Sequence, residues 1–199
     1  MQQNPGPIAP TLRGRHVQLE PLQSTHAEGL RRATADGELW RRWYTNVPKP
    51  EAVGDYITAA LALQDAGTSL VFAVRDADGE VVGTTRYYDI DVSVPRLSIG
   101  YTWYAQRVQR TGLNTEAKLL LLGHAFESLG CAAVALETSW FNHVSRTAIT
   151  RLGARQDGVL RNHRRHADGT LRDTVVFSII DGEWPAVKSN LLARLAAHG

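Results

Sequence analysis

The apolar residues change their spacing several times along the chain, and each change marks a new element. Alternation at period two, or a short continuous apolar run, predicts a strand, whereas apolar positions three and four apart predict a helix. The predicted strands are 17–22, 70–74, 80–88, 97–103, 132–136, 156–166 and 171–180. The predicted helices are 25–35, 51–66, 114–129, 142–152 and 183–197.

The order of these elements determines the fold class. Strands that are joined by short turns, such as those at 76–79 and 168–169, pair antiparallel. The strand–helix–strand step from 97–103 to 132–136 requires a parallel pair. We therefore predict a mixed α/β fold, in which a mostly antiparallel sheet of six to seven strands carries helices on both faces.

Polar residues at the predicted helix starts suggest how each helix begins. Ser24 or Thr25 is expected to cap the first helix, and Glu28 stands at capping-box spacing from Thr25. Asn114 or Thr115 is expected to cap the helix that follows the strand 97–103. These caps predict that the third helix begins just after a polar loop.

Composition favours a single globular domain. The chain has 199 residues, of which 43% are hydrophobic and 21% are charged, enough for a sizeable core. Residues 1–10 contain three prolines and one glycine, so we expect a flexible tail, followed by one domain over 11–199. A net charge of only +2 gives little support to a nucleic-acid-binding module, which is one alternative function.

Cysteine usage and hydropathy predict a cytoplasmic protein. Cys131 is the sole cysteine, so no internal disulfide can form, and a reducing compartment fits. The first ten residues lack the apolar core of a signal peptide, and no stretch approaches the length of a membrane span. We expect no membrane partner.

The most informative stretch is the polar loop between the strand 97–103 and the apolar helix after it. A helix start offers unpaired backbone N–H groups and the positive end of the helix dipole, which together bind anions. Gly112 would let a phosphate approach the backbone, and Arg107 and Arg110 add positive charge. The alternative is an ordinary strand-to-helix turn.

The loop and the residues after it resemble the GNAT N-acetyltransferase superfamily, in particular the RimJ/RimL-like branch of ribosomal-protein N-terminal acetyltransferases. The family loop reads Gln/Arg-x-x-Gly-x-Gly/Ala, which Gln109 and Gly112 match, whereas Asn114 replaces the last small residue. The later motifs of the branch stand in order as Thr115-Glu116-Ala117, Asn142-His143-Val144-Ser145, Leu152-Gly153-Ala154, Gly158-Val159-Leu160-Arg161, Asp168-Gly169 and Asp173.

The resemblance implies an acetyl-CoA site at this loop. The pyrophosphate would lie on the residues Gln109, Arg110, Thr111, Gly112, Leu113, Asn114 and Thr115. The pantetheine arm would run beside Tyr101, Thr102 and Trp103, where the two parallel strands splay apart. A backbone N–H there would polarise the thioester carbonyl.

The resemblance also assigns roles to two residues of the fourth helix. Asn142 would hold the pantetheine or a bound water, and Ser145 would protonate the departing thiolate. The alternatives are a plain helix N-cap for Asn142 and an inert surface serine for Ser145.

The group that removes the proton of the attacking amine is not identified by any family motif. Relatives have a glutamate at positions where this chain has other residues, so Glu137, His163 and Asp89 are the candidates that the sequence offers. Glu137 and His163 could instead be ordinary surface side chains. The acceptor would contact Trp40, Trp43 and Tyr44, between the first two helices, and Tyr87 and Tyr88; the alternative for the three former residues is a place in the core.

Taken with the resemblance, these features predict an acetyl-CoA-dependent N-acetyltransferase. The acceptor would be a primary amine, on a peptide or a small molecule, that attacks directly in a ternary complex. A non-catalytic acyl-CoA sensor is the alternative, because the family glutamate is missing. No metal site is expected, since no Cys or carboxylate set stands at metal-ligand spacing. A homodimer through the last helix is a further expectation.

Overall fold

A single mixed sheet forms the centre of the molecule. The structure, a computed structural model, describes residues 9–197. Within them eight strands lie in the order β1-β2-β3-β4-β5-β6-β8-β7, and every neighbouring pair is antiparallel except β5 and β6. The strands are β1 (Leu12–Arg13), β2 (Val17–Pro21), β3 (Ser69–Asp76), β4 (Val81–Asp91), β5 (Arg96–Tyr104), β6 (Ala133–Ser139), β7 (Arg155–Arg165) and β8 (Leu171–Ile180).

This topology confirms the predicted fold class. The parallel pair falls at the predicted step, and the turns at 76–79 and 168–169 both join antiparallel strands. The strand that the sequence did not predict is β1, because two residues are too few to show a period. The sheet therefore has eight strands rather than six to seven.

Helices cover both faces of the sheet. Among the described residues they are α1 (Ala27–Ala35), α2 (Val53–Asp65), α3 (Leu113–Gly123), α4 (His143–Leu152) and α5 (Trp184–Ala196). Tyr56 of α2 contacts Thr84, whereas Leu121 of α3 accepts a hydrogen bond from Tyr87. Since odd and even positions of a strand face opposite ways, α2 and α3 lie on opposite faces. None of the described helices is long and apolar enough to cross a membrane.

The domain boundary needs one adjustment. Residues 1–8 of the predicted tail lie outside the described residues, but Ala9 is buried in the core. The folded domain thus begins before the predicted boundary at residue 11. The last helix, predicted over 183–197, spans Trp184–Ala196.

Two predicted helix caps are wrong. Ser24 and Thr25 lie inside a short 3-10 turn, and the backbone N–H of Gln23 donates instead to Nδ1 of His26 at 3.0 Å. The third helix begins at Leu113 with Gly112 as its N-cap, so Asn114 and Thr115 lie within the first turn. Side-chain acceptors at a helix start are common in sequences, and tertiary contacts decide which of them is used.

Candidate functional site

The parallel strands β5 and β6 separate partway along the sheet. They pair over Arg96–Ile99 and Ala133–Leu136 and then diverge, so that β5 continues along β4 while β6 continues along β8. Beyond this point the facing edges of the two strands expose unpaired main-chain donors and acceptors. The sheet thus contains a V-shaped opening that an extended chain could enter.

A β-bulge shapes the β5 side of this opening. Tyr101 adopts a positive φ of 50°, and the register with β4 shifts between Thr84 and Arg86. A bulge turns a main-chain segment out of the regular ladder and re-aims its N–H groups. Thr102, the next residue, contacts Thr85 through the two hydroxyl oxygens at 2.8 Å. Trp103 is buried, with its ring 6.3 Å from that of Tyr56.

The loop after β5 is held in place by its own side chains. The amide Nε2 of Gln109 donates to the carbonyl of Tyr104 at 2.9 Å. The hydroxyl of Thr111 donates to the carbonyl of Val108 at 2.8 Å and accepts from the N–H of Leu113 at 3.3 Å. Arg110, between them, is exposed and has a positive φ of 63°. These bonds hold the loop and leave the Arg110 side chain facing solvent.

The loop ends at the N-terminus of α3, where several main-chain N–H groups could bind an anion. Among residues 9–197 the N–H groups of Gly112, Asn114 and Thr115 have no acceptor, whereas that of Glu116 donates to the carbonyl of Gly112. The helix dipole adds positive potential at the same place. These groups match a pyrophosphate in charge and in hydrogen-bonding capacity.

Gly112 lies against the ring of His16. A Cβ atom on Gly112 would lie 3.3 Å from Cδ2 of His16, so a larger residue here would displace that ring by a few tenths of an ångström. The expected approach of a phosphate to this glycine stays a prediction. The φ of Gly112, −64°, is one that any residue adopts.

Sequence reasoning missed Glu116, which ties this site to the start of the chain. Its buried carboxylate accepts hydrogen bonds from the N–H groups of Arg15, His16 and Val17, at 2.9, 2.6 and 3.0 Å. Through them the turn before β2 is fixed against the first turn of α3. The Thr-Glu-Ala motif was the available signal, but nothing local to it indicated a partner about 100 residues away.

A second residue that the sequence did not reveal is Lys118 on α3. It is buried, and its Nζ donates to the hydroxyl of Thr102 at 3.0 Å, directly behind the bulge. Burial lowers the pKa of this ammonium from 10.5 to about 7. Lys118 therefore supports the bulged segment while its charge is only weakly stabilised.

Asn142 and Ser145 come together at the start of α4, which follows β6. Oδ1 of Asn142 accepts a hydrogen bond from the N–H of Ser145 at 3.0 Å, so Asn142 is the helix N-cap. Both side chains are half-buried. The cap employs Oδ1 alone, which leaves the Nδ2 amide of Asn142 available as a donor.

Replacing Asn142 with alanine is expected to lower the free energy of unfolding by about 1 kcal/mol, because the α4 cap is lost. Asn142→Asp keeps an acceptor for the Ser145 N–H and should retain most of that stability. Urea denaturation of the three proteins measures the differences. Equal stability of the alanine variant would show that the cap does not hold α4.

Glu137 lies where the two strands separate, on the face covered by α2. It lines a cleft of about 640 Å³ together with Ser98, Ala135, Val176 and the residues around the β4–β5 turn, which are Asp89, Ile90, Asp91, Val92, Ser93 and Arg96. Asp89, another candidate proton acceptor, therefore lies in the same cleft. Oε2 of Glu137 accepts a hydrogen bond from Arg164 at 3.1 Å. Burial raises the pKa of the nearby Tyr88 hydroxyl far above its usual range, and the Glu137 carboxylate raises it further.

Another predicted proton acceptor, His163, does not line the cleft. It is exposed and lies where the register of β7 with β8 is irregular, between Leu160 and Arg164. The neighbouring N–H of Asn162 donates to Asp173 at 2.8 Å. The structure thus brings Glu137, and not His163, into the wall of the cleft.

The aromatic residues between α1 and α2 bridge to two other segments. The Trp43 ring is 44% exposed and lies 5.7 Å from Tyr44, 5.2 Å from Phe141 and 4.7 Å from His166. Phe141 precedes the start of α4, and His166 follows β7. The α1–α2 segment, which also includes Trp40, therefore contacts the loop before α4 and the loop after β7.

Tyr87 does not fit its expected role in contacting an acceptor. Its side chain is 0% exposed, and its hydroxyl donates to the carbonyl of Leu121 on α3 at 2.6 Å. It is a core residue on the opposite face from Tyr88, because neighbouring strand residues alternate. Tyr88 faces the side that carries Glu137 and is also largely buried.

Comparison with known proteins identifies a family that matches most of the chain. Residues 16–155 match the family described as acetyltransferase (GNAT) domain. A GCN5-related N-acetyltransferase from Brucella melitensis is 31% identical over 96% of this chain and 87% of that chain, with a TM-score of 0.84. No match was found among curated proteins.

Two more distant structures share the fold. Mycobacterium smegmatis RimJ, in complex with CoA-disulfide, is 22% identical over 93% of both chains, with a TM-score of 0.77. A RimL ribosomal-protein acetyltransferase, in complex with coenzyme A, is 15% identical over 86% of this chain and 99% of that chain, with a TM-score of 0.73. The family match, the splayed strands and the anion site agree, and the chain belongs to the GNAT acetyltransferase family, whose enzymes use acetyl-CoA as the acyl donor.

Proposed function

We propose that this enzyme transfers the acetyl group to a primary amine that attacks directly within a ternary complex. The observation that carries the proposal is the position of Glu137, which lines the cleft and directly follows Leu136, the last residue of β6 that pairs with β5. An amine in that cleft would lie next to both a proton acceptor and the end of the pantetheine path.

On the donor side, the unpaired N–H groups of Gly112, Asn114 and Thr115 would hold the pyrophosphate. The edge of β5 at Tyr101, Thr102 and Trp103 would pair with the pantetheine amides, as a neighbouring strand does. A main-chain N–H at the bulge would polarise the thioester carbonyl, because it is fixed before the reaction begins.

On the acceptor side, Glu137 would take a proton from the alkyl ammonium, since only the neutral amine has a lone pair for attack. Ser145 would donate its hydroxyl proton to the departing thiolate from the start of α4. His163 is exposed and outside the cleft, so it is the weaker candidate for the base.

The cysteine supports direct attack rather than an acetyl-enzyme. Cys131 is buried, and burial raises the pKa of its thiol. The thiolate is the nucleophilic form, and this environment disfavours it. Cys131 also lies before β6, at the end where the two strands are still paired.

The proposal is tested by mixing purified protein with acetyl-CoA and a panel of primary amines. Free thiol should appear in proportion to the acetylated amine, as measured by a thiol reagent and by mass spectrometry. Absence of acetyl-CoA binding in calorimetry would refute the proposal. Binding without turnover of any amine would favour the non-catalytic sensor.

Replacing Glu137 with glutamine should lower kcat by about 100-fold, the usual contribution of a general base. Binding of acetyl-CoA should be unchanged, and activity should recover partly at alkaline pH, where more amine is neutral. His163→Gln is the matched control and should keep kcat within about twofold. The opposite ranking of the two variants would transfer the role of base to His163.

A further inference from the structure

Three arginines gather around Tyr101 on the face of the sheet that carries Glu137. The guanidinium of Arg86, on β4, lies 4.2 Å from the centroid of the Tyr101 ring. Arg164 on β7 and Arg172 on β8 are paired across the ladder, so their side chains share a face. We call Arg86, Arg164 and Arg172 the arginine cluster.

The positive charge of the arginine cluster is only partly compensated. Arg164 pairs with Glu137 at 3.1 Å, but within residues 9–197 neither Arg86 nor Arg172 has a carboxylate within salt-bridge distance. Burial lowers the pKa of Arg172, and the charge of Arg164 lowers it further. Among the described residues, Glu137 is therefore the one carboxylate that pairs with the cluster, and it pairs with Arg164.

Two of these guanidinium groups also have unused hydrogen-bond donors. Arg86 is 3% exposed and donates through Nη2 to the Tyr56 hydroxyl at 3.2 Å, while its Nε is buried without an acceptor among the described residues. Nε of Arg172 is likewise buried without an acceptor among the described residues. Buried charges and donors are costly unless they are paired, so a bound anion would stabilise the cluster.

Stacking alone does not account for the arrangement. The faces of the Arg86 guanidinium lie over Tyr101 and, at 5.6 Å, over Tyr56. Stacking satisfies the faces of a guanidinium, whereas its edge carries the N–H groups that bind carboxylates in pairs. The edge at Nε is what remains free.

We infer that the acceptor amine carries a carboxylate, which binds the free edges of Arg86 and Arg172 while the amine faces Glu137. This inference rests on the proposed function, because it assigns the substrate class of that site. A carboxylate supplies the negative charge that the cluster lacks and accepts two parallel hydrogen bonds from one guanidinium. The carboxylate could be that of a free amino acid or that of an acidic residue beside a peptide N-terminus.

Matched amines test the inference without any change to the protein. The first pair is a free amino acid and its amide; the second is a dipeptide amide with aspartate or asparagine after the same N-terminal residue. In at least one pair, kcat/KM for the carboxylate member should exceed that of its neutral partner by at least tenfold, about 1.4 kcal/mol. The pair that shows the preference identifies the source of the carboxylate.

Variants then locate the preference. Arg172→Gln and Arg86→Gln should each reduce the ratio of kcat/KM between the two members at least tenfold, through a higher KM for the carboxylate member. Arg165→Gln is the control, since Arg165 is exposed and outside the cluster. Thermal unfolding shows whether Arg86→Gln folds. If it does not, Arg172→Gln and the wild-type comparison of the matched amines still test the carboxylate preference.

Each outcome has a definite meaning. Equal turnover of both members of both pairs would overturn the inference while the proposed function stands. A preference that survives in Arg172→Gln would also overturn it. Release of thiol with none of the amines, despite acetyl-CoA binding, would instead refute the proposed function and this inference with it.

Discussion

Replacing Glu116 with alanine is expected to lower the free energy of unfolding by at least about 3 kcal/mol. The carboxylate is buried and accepts from three main-chain N–H groups, those of Arg15, His16 and Val17. Each buried donor that loses its partner costs about 1–3 kcal/mol. Few single substitutions have so large an effect.

Chemical denaturation measures this effect, with two comparison variants. Glu116→Gln retains one acceptor oxygen and should fall between the wild type and the alanine variant. Glu28→Ala removes an exposed glutamate of α1 and should change stability by less than about 0.5 kcal/mol. The free energy of unfolding of Glu116→Ala could instead lie within about 1 kcal/mol of the wild-type value, about a third of the expected loss. That result would contradict this role of the carboxylate.

The same substitution should also weaken the cofactor site. The turn that Glu116 holds carries His16, whose ring packs against Gly112 at the start of α3. Once this turn is free, the N–H groups around Gly112 are no longer fixed toward the opening. We expect a loss of acetyl-CoA affinity in Glu116→Ala variants that remain folded, measured by calorimetry.

Replacing Lys118 with methionine is expected to stabilise the protein, and more so near neutral pH than in alkali. Burial lowers the pKa of this ammonium from 10.5 to about 7 in the folded chain. Between these pH values the unfolded chain binds one more proton at this site than the folded chain. Lowering the pH therefore favours unfolding, by about 1.4 kcal/mol per pH unit.

The stability of the wild type should thus rise from pH 7 to pH 10 relative to that of Lys118→Met. The methionine variant keeps the buried volume but has no group to titrate. Lys49→Met, at an exposed position, is the control and should run parallel to the wild type. A constant difference between Lys118→Met and the wild type would show that Lys118 is not held in a desolvated state.

The stabilised variant should nevertheless be a poorer enzyme. Lys118 donates to Thr102 beside the bulge at Tyr101, and methionine cannot make that hydrogen bond. The buried Lys118 amine thus lowers stability while it holds the bulged segment in place, and such exchanges of stability for activity are common in enzymes. Assays of amine acetylation at pH 8 would measure the loss.

The sequence predicted those features that repeat or that stand close together in the chain. Period-two alternation or a continuous apolar run located seven strands, and the strand–helix–strand order before 132–136 predicted the parallel pair. The loop from Gln109 to Thr115 was recognised because its residues are consecutive. The N-cap at Asn142 was one of two alternatives that the sequence offered for this residue, and its partner Ser145 is three residues away.

Features that depend on distant partners could not be predicted. Lys118 stands in a helix that is apolar on most faces, and nothing in its neighbours indicates the Thr102 hydroxyl on the adjacent strand β5. The regular alternation of 97–103 gave no sign of the bulge at Tyr101, because a bulge arises from pairing with β4. Tyr87 was assigned to the acceptor cleft because the sequence does not show which face of β4 is covered by α3.

The arginine cluster was invisible for the same reason. Arg86, Arg164 and Arg172 come from three strands, and the sheet order alone brings them around Tyr101. In the sequence Arg164 is part of an ordinary basic run, and Arg86 stands between Thr85 and Tyr87 with no other basic residue beside it. Their common face follows from register, which period-two patterns constrain only one strand at a time.

The most direct test of the proposed cofactor site is a crystal structure of the protein with coenzyme A. We predict pyrophosphate oxygens within about 3.2 Å of the N–H groups of Gly112, Asn114 or Thr115, with the pantetheine arm beside Tyr101 between β5 and β6. A pyrophosphate bound elsewhere, or a pantetheine arm that does not enter the opening, would contradict this prediction.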